Sequence, residues 1–401
     1  MRVSLAQRRQ GPGSTPRVLA RGKPAKLLNP DGARVILGAS VEAAGVDKPV
    51  APGPASMFGP RGACLAAPAG PLFVCDTGHH RLLVWRRAPV DDGAPADYVI
   101  GQLDFSREGR NARGEVGQTT FNVPTGVAAA EGVLAVADAW NHRVLIWHGL
   151  PDAASRAPDV VVGQADFGHG LANRGGDHTR ADTLNWCCGV AVVGGRLIVA
   201  DTGNRRVLVW NEIPHANGAP ADLVLGQRDF FSRDENSGEG GGPRGMRRPH
   251  DIAVAGGALF VADAGDNRVM AWRTWPRANG APCDFVLGQA DAFRLDHNRS
   301  AYLPSARSMN MPCAICAHGT QLIVADTANS RLIGFERRAL AVGVDATLLA
   351  GQPNFEAKGD NRWSAPARDS LCWPYGVAAS GGALAIADSG NNRVLLWDVA
   401  P

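Results

Sequence analysis

The chain has 401 residues, of which 45% are hydrophobic and 20% charged, and its formal net charge is +3. That balance supplies a large apolar core and excludes a disordered chain or a dedicated polycationic nucleic-acid binder. The 49 glycines and 27 prolines exclude a helical protein and suit many short strands joined by turns.

Residues 1–30 carry Arg2, Arg8, Arg9, Arg17, Arg21, Lys23 and Lys26 and no acid, so the remaining chain nets about −4. The expectation is a basic, solvated extension over residues 1–32, ahead of one domain over 33–401. A polybasic hook for an acidic partner or membrane, or an organellar targeting segment, are the alternatives. The opening residues lack the continuous apolar segment of a signal peptide, and no stretch reaches the roughly 18 apolar residues of a membrane span. A cytoplasmic location follows as an expectation, with the eight cysteines as thiols or ligands before disulfides.

Arg34-Val35-Ile36-Leu37-Gly38 has the character of a strand with no partner in its own neighbourhood. From Asp76 onward a ten-residue pattern opening with Asp and ending with an aromatic recurs six times, starting at Asp76, Asp138, Asp201, Asp263, Asp326 and Asp388, spaced 62, 63, 62, 63 and 62 residues apart. Such regularity means one structural unit copied six times. In the second unit the strands fall after Pro124-Thr125-Gly126-Val127, at Leu134 to Ala137, at Arg143 to Trp147 and at Val160 to Val162. Four strands per unit make a propeller blade. Val144 and Ile146 alternate with Leu145 and Trp147, so both faces of this sheet are apolar, as packing between neighbouring blades requires. Asp138 and Arg143 are expected to pair across the turn between the second and third strands, with Asn141 supporting it.

The chain ends after Trp397 without a fourth strand, whereas Gly38 continues the series Gly101, Gly163, Gly226, Gly288 and Gly351. The N-terminal strand should therefore complete the last blade and close a six-bladed all-β propeller, a monomeric ring without a free sheet edge.

The D-x-x-N-x-R-V core, with Gly-Gln-x-Asp-Phe after the fourth strand at Gly101 to Phe105, Gly163 to Phe167 and Gly226 to Phe230, resembles the NHL-repeat family over residues 34–401. The resemblance implies the fold and, for most members, a protein- or RNA-binding platform; a minority, such as amidating lyases, are enzymes.

Residues that recur in every blade are expected to be architectural, so function should lie in the columns that vary. The residue after the proline, where the innermost strand meets the central channel, varies most: Arg61, Thr125, Cys188, His250, Cys313 and Tyr375. Cys188, His250 and Cys313 are soft donors from three successive blades, which suggests a zinc site with one open position, copper and iron being the alternatives. The resemblance adds that histidines after such prolines hold zinc in amidating lyases, as Pro249-His250-Asp251-Ile252 would here. If the protein is a metal-dependent lyase or hydrolase, Tyr375 is the candidate proton donor and Arg61 the anion anchor. Cys64, Cys75 and Cys316 sit in alanine columns and are expected to be small core residues.

Connections from each fourth strand to the next blade exceed 20 residues, and long loops on one face mark a working face. Trp140, Trp186, Trp373 and Arg248 are the candidate contacts for a protein or peptide partner. Asp229, Asp234, Glu235 and Glu239 dilute the positive charge there, which places RNA second. The leading expectation is a non-enzymatic binding platform, with the metal-dependent lyase or hydrolase as its alternative.

Overall fold

The computed structural model describes residues 24–38 and 50–400. The charged residues Arg2, Arg8, Arg9, Arg17, Arg21 and Lys23 lie outside the described residues. Among those described, the strands form six sheets, five of four strands and one of five. The helical segments between them are single 3₁₀ turns. None of the described helices is long and apolar enough to cross a membrane.

The second blade shows how the repeat folds. Its strands, Pro124–Ala130, Val133–Asp138, Arg143–His148 and Val160–Val162, pair antiparallel in sequence order from the channel outward. Val144 and Ile146 pack toward the third blade while Leu145 and Trp147 pack toward the first. The alternation of strand side chains therefore buries both faces, as the apolar pattern predicts.

Asp138 and Arg143 form the expected ion pair at 2.8 Å, both fully buried, and Asn141 donates to the same carboxylate at 2.7 Å. Arg143 reaches further. Its guanidinium donates to the carbonyls of Phe167, Gly117 and Thr120 at 2.6, 2.9 and 2.9 Å, tying the loops before and after the blade to the turn beneath them. A planar fork of five donors is suited to this task in a way that an ammonium is not. Each glycine of the Gly38 to Gly351 series takes a positive φ between 85° and 101°, which only glycine adopts without strain.

The ring closes as the strand pattern predicts. Val35–Gly38 pairs antiparallel with Arg393–Asp398 of the last blade, with Val35 opposite Leu396 and Leu37 opposite Val394. Across the same seam Ser389 Oγ donates to Pro60 O, and Arg34 pairs with Asp398 at 3.0 Å.

Packing begins before residue 33, where the sequence suggests the domain boundary. Ala25–Lys26 adds a parallel fifth strand outside Leu348–Ala350 of the fifth blade. Leu27 and Leu28 are 1% and 2% exposed in the core between the fifth and sixth blades. The reason lies in the third strand of the fifth blade, where Gly334 occupies a position held elsewhere by Val84, Ile146, Val209, Ala271 and Leu396. A Cβ built on Gly334 would stand 3.2 Å from Leu27 Cδ1, so Leu27 occupies space that a side chain fills in the other blades.

Candidate functional site

The innermost strands line an axial cavity of about 510 Å³. Its entrance on the long-loop side is ringed by the variable column Arg61, Thr125, Cys188, His250, Cys313 and Tyr375. The strands irregularly shift register at this point, between Pro124 and Val127, Pro249 and Asp251, Pro312 and Ala314, and Pro374 and Gly376. A β-bulge leaves residues out of the ladder and re-aims their side chains, which is how the second, fourth, fifth and sixth blades present this residue to the axis.

The residue two positions ahead of the ring residue is held in a left-handed conformation in four blades, with φ of 58° at Val123, 50° at Trp186, 55° at Met311 and 52° at Trp373. Its N–H is bound by a side chain of the preceding blade: His80 Nδ1 for Val123 at 3.0 Å, His142 Nδ1 for Trp186 at 2.8 Å and Asn267 Oδ1 for Met311 at 2.9 Å. Burial pushes His142 down to about 4, which keeps this nitrogen unprotonated and able to accept. The fourth blade departs from the pattern. Its would-be acceptor is Arg205, which cannot accept, and the N–H groups of Arg247 and Arg248 turn to Asp263 at 3.1 and 2.9 Å.

Several polar groups of the ring are already engaged. Thr125 Oγ1 donates to Cys188 O at 2.8 Å. Cys188 Sγ is turned to Trp186 O at 3.8 Å and Cys313 Sγ to Met311 O at 3.5 Å. Burial raises these thiols to about 11 and about 12, so both are protonated near neutrality. His250 packs against the edge of Trp186 at 6.4 Å, and burial, reinforced by the charges of Arg61 and Arg248, pushes it down to about 4. Among the described residues no group of three or more His, Cys, Asp or Glu side chains is placed to hold a metal ion. Cys188, His250 and Cys313 face one cavity, with both sulfurs turned to backbone carbonyls in this arrangement.

Arg61 and Tyr375 are brought together, the guanidinium lying 4.6 Å from the ring centroid. Trp373 stacks on Tyr375 at 6.4 Å and is 38% exposed. Burial raises the Tyr375 hydroxyl above its ordinary range, so it remains a donor. Among the candidate partner contacts, Trp140 is exposed beneath the Arg110 guanidinium at 5.3 Å, and Arg248 is exposed. Trp186 is half-buried against His250 and is a wall of the mouth more than a presented contact.

Asp251 was not anticipated. Its carboxylate lines the cavity and accepts the Ile315 N–H of the fifth blade at 3.0 Å, while burial raises it from 3.8 to about 7. The signal was in the repeat alignment: the same column holds Gly62, Gly126, Gly189, Ala314 and Gly376. At Gly189 a side chain is excluded, since a Cβ there would stand 2.3 Å from His250 O of the next blade, whereas the fourth and fifth blades accommodate Asp251 and Ala314.

All eight cysteines are free, and Cys187 turns away from Cys188 toward Arg143 O at 3.2 Å. Cys75 and Cys316 are buried, the small-core role expected of their columns, while Cys64 is half-buried on the channel wall.

A family model described as NHL repeat matches residues 121–147, the inner three strands of the second blade. NHL repeat-containing protein 2 of Bos taurus is 25% identical and that of Homo sapiens 32% identical over 56% of this chain. The aligned part is 31% of either relative's own length, so the chain spans only a portion of them. Among solved structures, a gluconolactonase from Xanthomonas campestris aligns over 95% of this chain and 99% of its own, with a TM-score of 0.45 and 13% identity. Virginiamycin B lyase from Staphylococcus aureus aligns over 86% and 96%, with a TM-score of 0.41 and 12% identity.

Proposed function

We propose that this six-bladed propeller of the NHL-repeat kind is a non-enzymatic platform that holds a protein or peptide on its long-loop face. One observation carries the reading. Of the exposed large apolar side chains among the described residues, Val90 and Val342 lie in the connections of the opposite face. The others, with Phe58, Trp140, Phe231, Phe293, Tyr302 and Trp363 among them, belong to the long-loop face. Exposed aromatic groups concentrated on one side of a soluble ring mark an interaction surface, and aromatic and arginine side chains supply most of the energy of such surfaces.

The test is partner capture by the wild-type chain against Trp363→Ser, Trp140→Ala and Arg248→Glu, with thermal unfolding measured in parallel. Capture should fall with each change while the melting temperature stays within about 2 °C, the effect of a few tenths of a kcal/mol at an exposed site. Val90→Ser and Val342→Ser should be silent. Capture that is lost only on altering the opposite face would transfer the function there.

A further inference from the structure

We propose that the occupant of the long-loop face is an acidic peptide, one of whose carboxylates is bound at the channel mouth by Arg61 and the Tyr375 hydroxyl. This rests on the long-loop face being the docking surface.

The six repeat arginines each have an aspartate within 3.1 Å. Arg61 is different. It is half-buried, and among the described residues its guanidinium has no carboxylate and no hydrogen-bond acceptor, only the face of Tyr375. The Tyr375 hydroxyl likewise has no partner among the described residues, whereas Thr125, Cys188 and Cys313 are all turned to backbone carbonyls. The mouth therefore retains two adjacent donors, one of them charged, with no carboxylate in contact with either; Asp251, in the wall of the same cavity, is engaged by the Ile315 N–H. Partial desolvation of an unpaired guanidinium is costly, and a carboxylate accepting from both groups removes that cost through charge-assisted hydrogen bonds.

The surrounding charge selects the kind of anion. Arg248, beside His250 at the mouth, and Arg110, over Trp140 on the same face, also lack an ion-pair partner among the described residues. Asp234, Glu235 and Glu239 are nevertheless exposed on this face, and the chain beyond residue 30 nets about −4. An extended phosphodiester crossing this face would meet those exposed carboxylates, while a compact carboxylate meets only the mouth. Flanking apolar residues of the peptide would lie on Trp373 and Trp140, which are 38% and 46% exposed.

The experiment is selection of a random short-peptide library, displayed on phage, against the full chain and against Arg61→Met. Peptides enriched on wild type should share Asp or Glu at one register beside an apolar residue, and those enriched on Arg61→Met should not. Asp→Asn or Glu→Gln at that register in a selected peptide should weaken wild-type binding about tenfold or more and leave Arg61→Met binding unchanged, the coupling expected of a charge-assisted contact. The peptide-side change cannot disturb the fold. Enriched peptides without a shared acid, an equal loss on both proteins, or no enrichment at all would overturn the carboxylate site. Binding that ignores Trp363→Ser and Phe231→Ser would instead overturn the docking face itself. A mixed-sequence single-stranded RNA that displaces the peptide and depends on Arg61 would overturn the assignment in favour of nucleic acid.

Discussion

Asp251 introduces a carboxyl group where four blades have glycine, and its titration should be visible in stability. Its folded value of about 7 lies above the ordinary 3.8, so the folded protein holds the proton more tightly than the unfolded chain. The corresponding stability is complete below about pH 4 and is lost as pH rises through about 7. Asp251→Asn keeps an acceptor for the Ile315 N–H without the charge. It should therefore melt above wild type at pH 8, by up to a few kcal/mol, with the gap closing toward pH 4. A constant gap across that range would place the carboxylate in water. At Arg143 the opposite sign applies. Arg143→Ala leaves the fully buried Asp138 carboxylate unpaired and frees two long loops, and should cost about 3–5 kcal/mol in chemical denaturation. Arg143→Lys should recover little of it, because an ammonium cannot span three carbonyls and a carboxylate. With the Cys188 and Cys313 sulfurs turned to backbone carbonyls and no ligand cluster among the described residues, protein purified without added metal is expected to carry no stoichiometric zinc, copper or iron by elemental analysis. Stoichiometric metal lost in Cys188→Ser, His250→Ala and Cys313→Ser would reinstate the metal-dependent reading.

At the scale of the element, the bulge at the start of four of the six inner strands converts an ordinary β-hairpin into a presenting device. The left-handed residue ahead of it is stabilised by an acceptor from the neighbouring blade, so the mouth is set by pairs of blades and not by single ones. The N-terminal strap obeys similar logic. Leu27 packs where Gly334 has no side chain, which selects the fifth blade as the docking site for Ala25–Lys26. Leu27→Ala should cost about 2–4 kcal/mol by opening a cavity between the fifth and sixth blades, measured by denaturant unfolding.

For the whole molecule, closure depends on a strand contributed from the other end of the chain. Removing residues 1–38 takes away the partner of Arg393–Asp398 and should yield an aggregating product, because the last blade then ends on an unpaired apolar edge. Removing residues 1–26 should keep the ring closed, since Val35–Gly38 remains, but lower its melting temperature through loss of the Ala25–Lys26 pairing. Size-exclusion chromatography and thermal unfolding separate the two outcomes. A monomeric product of the longer deletion with unchanged melting would mean that the ring does not need its closing strand.

Blade number, strand positions, the Asp138–Arg143 pair and closure by Val35–Gly38 were all determined by the sequence alone. Each arises from a local periodicity or from one unit compared with its copies, and six repetitions make such patterns unambiguous. The identity of the residues ringing the channel was legible for the same reason. Their chemistry was not, because a column position specifies which strand a side chain leaves from and not where its polar atom is directed. Whether Cys188 and Cys313 meet a metal or a carbonyl, and whether Arg61 finds an acid or only Tyr375, depends on rotamers and on groups from other blades. The attachment of Leu27 beside Gly334 and the capping of Asp251 by Ile315 N–H are likewise contacts between segments separated widely along the chain. Only the closed ring brings those segments within reach of one another.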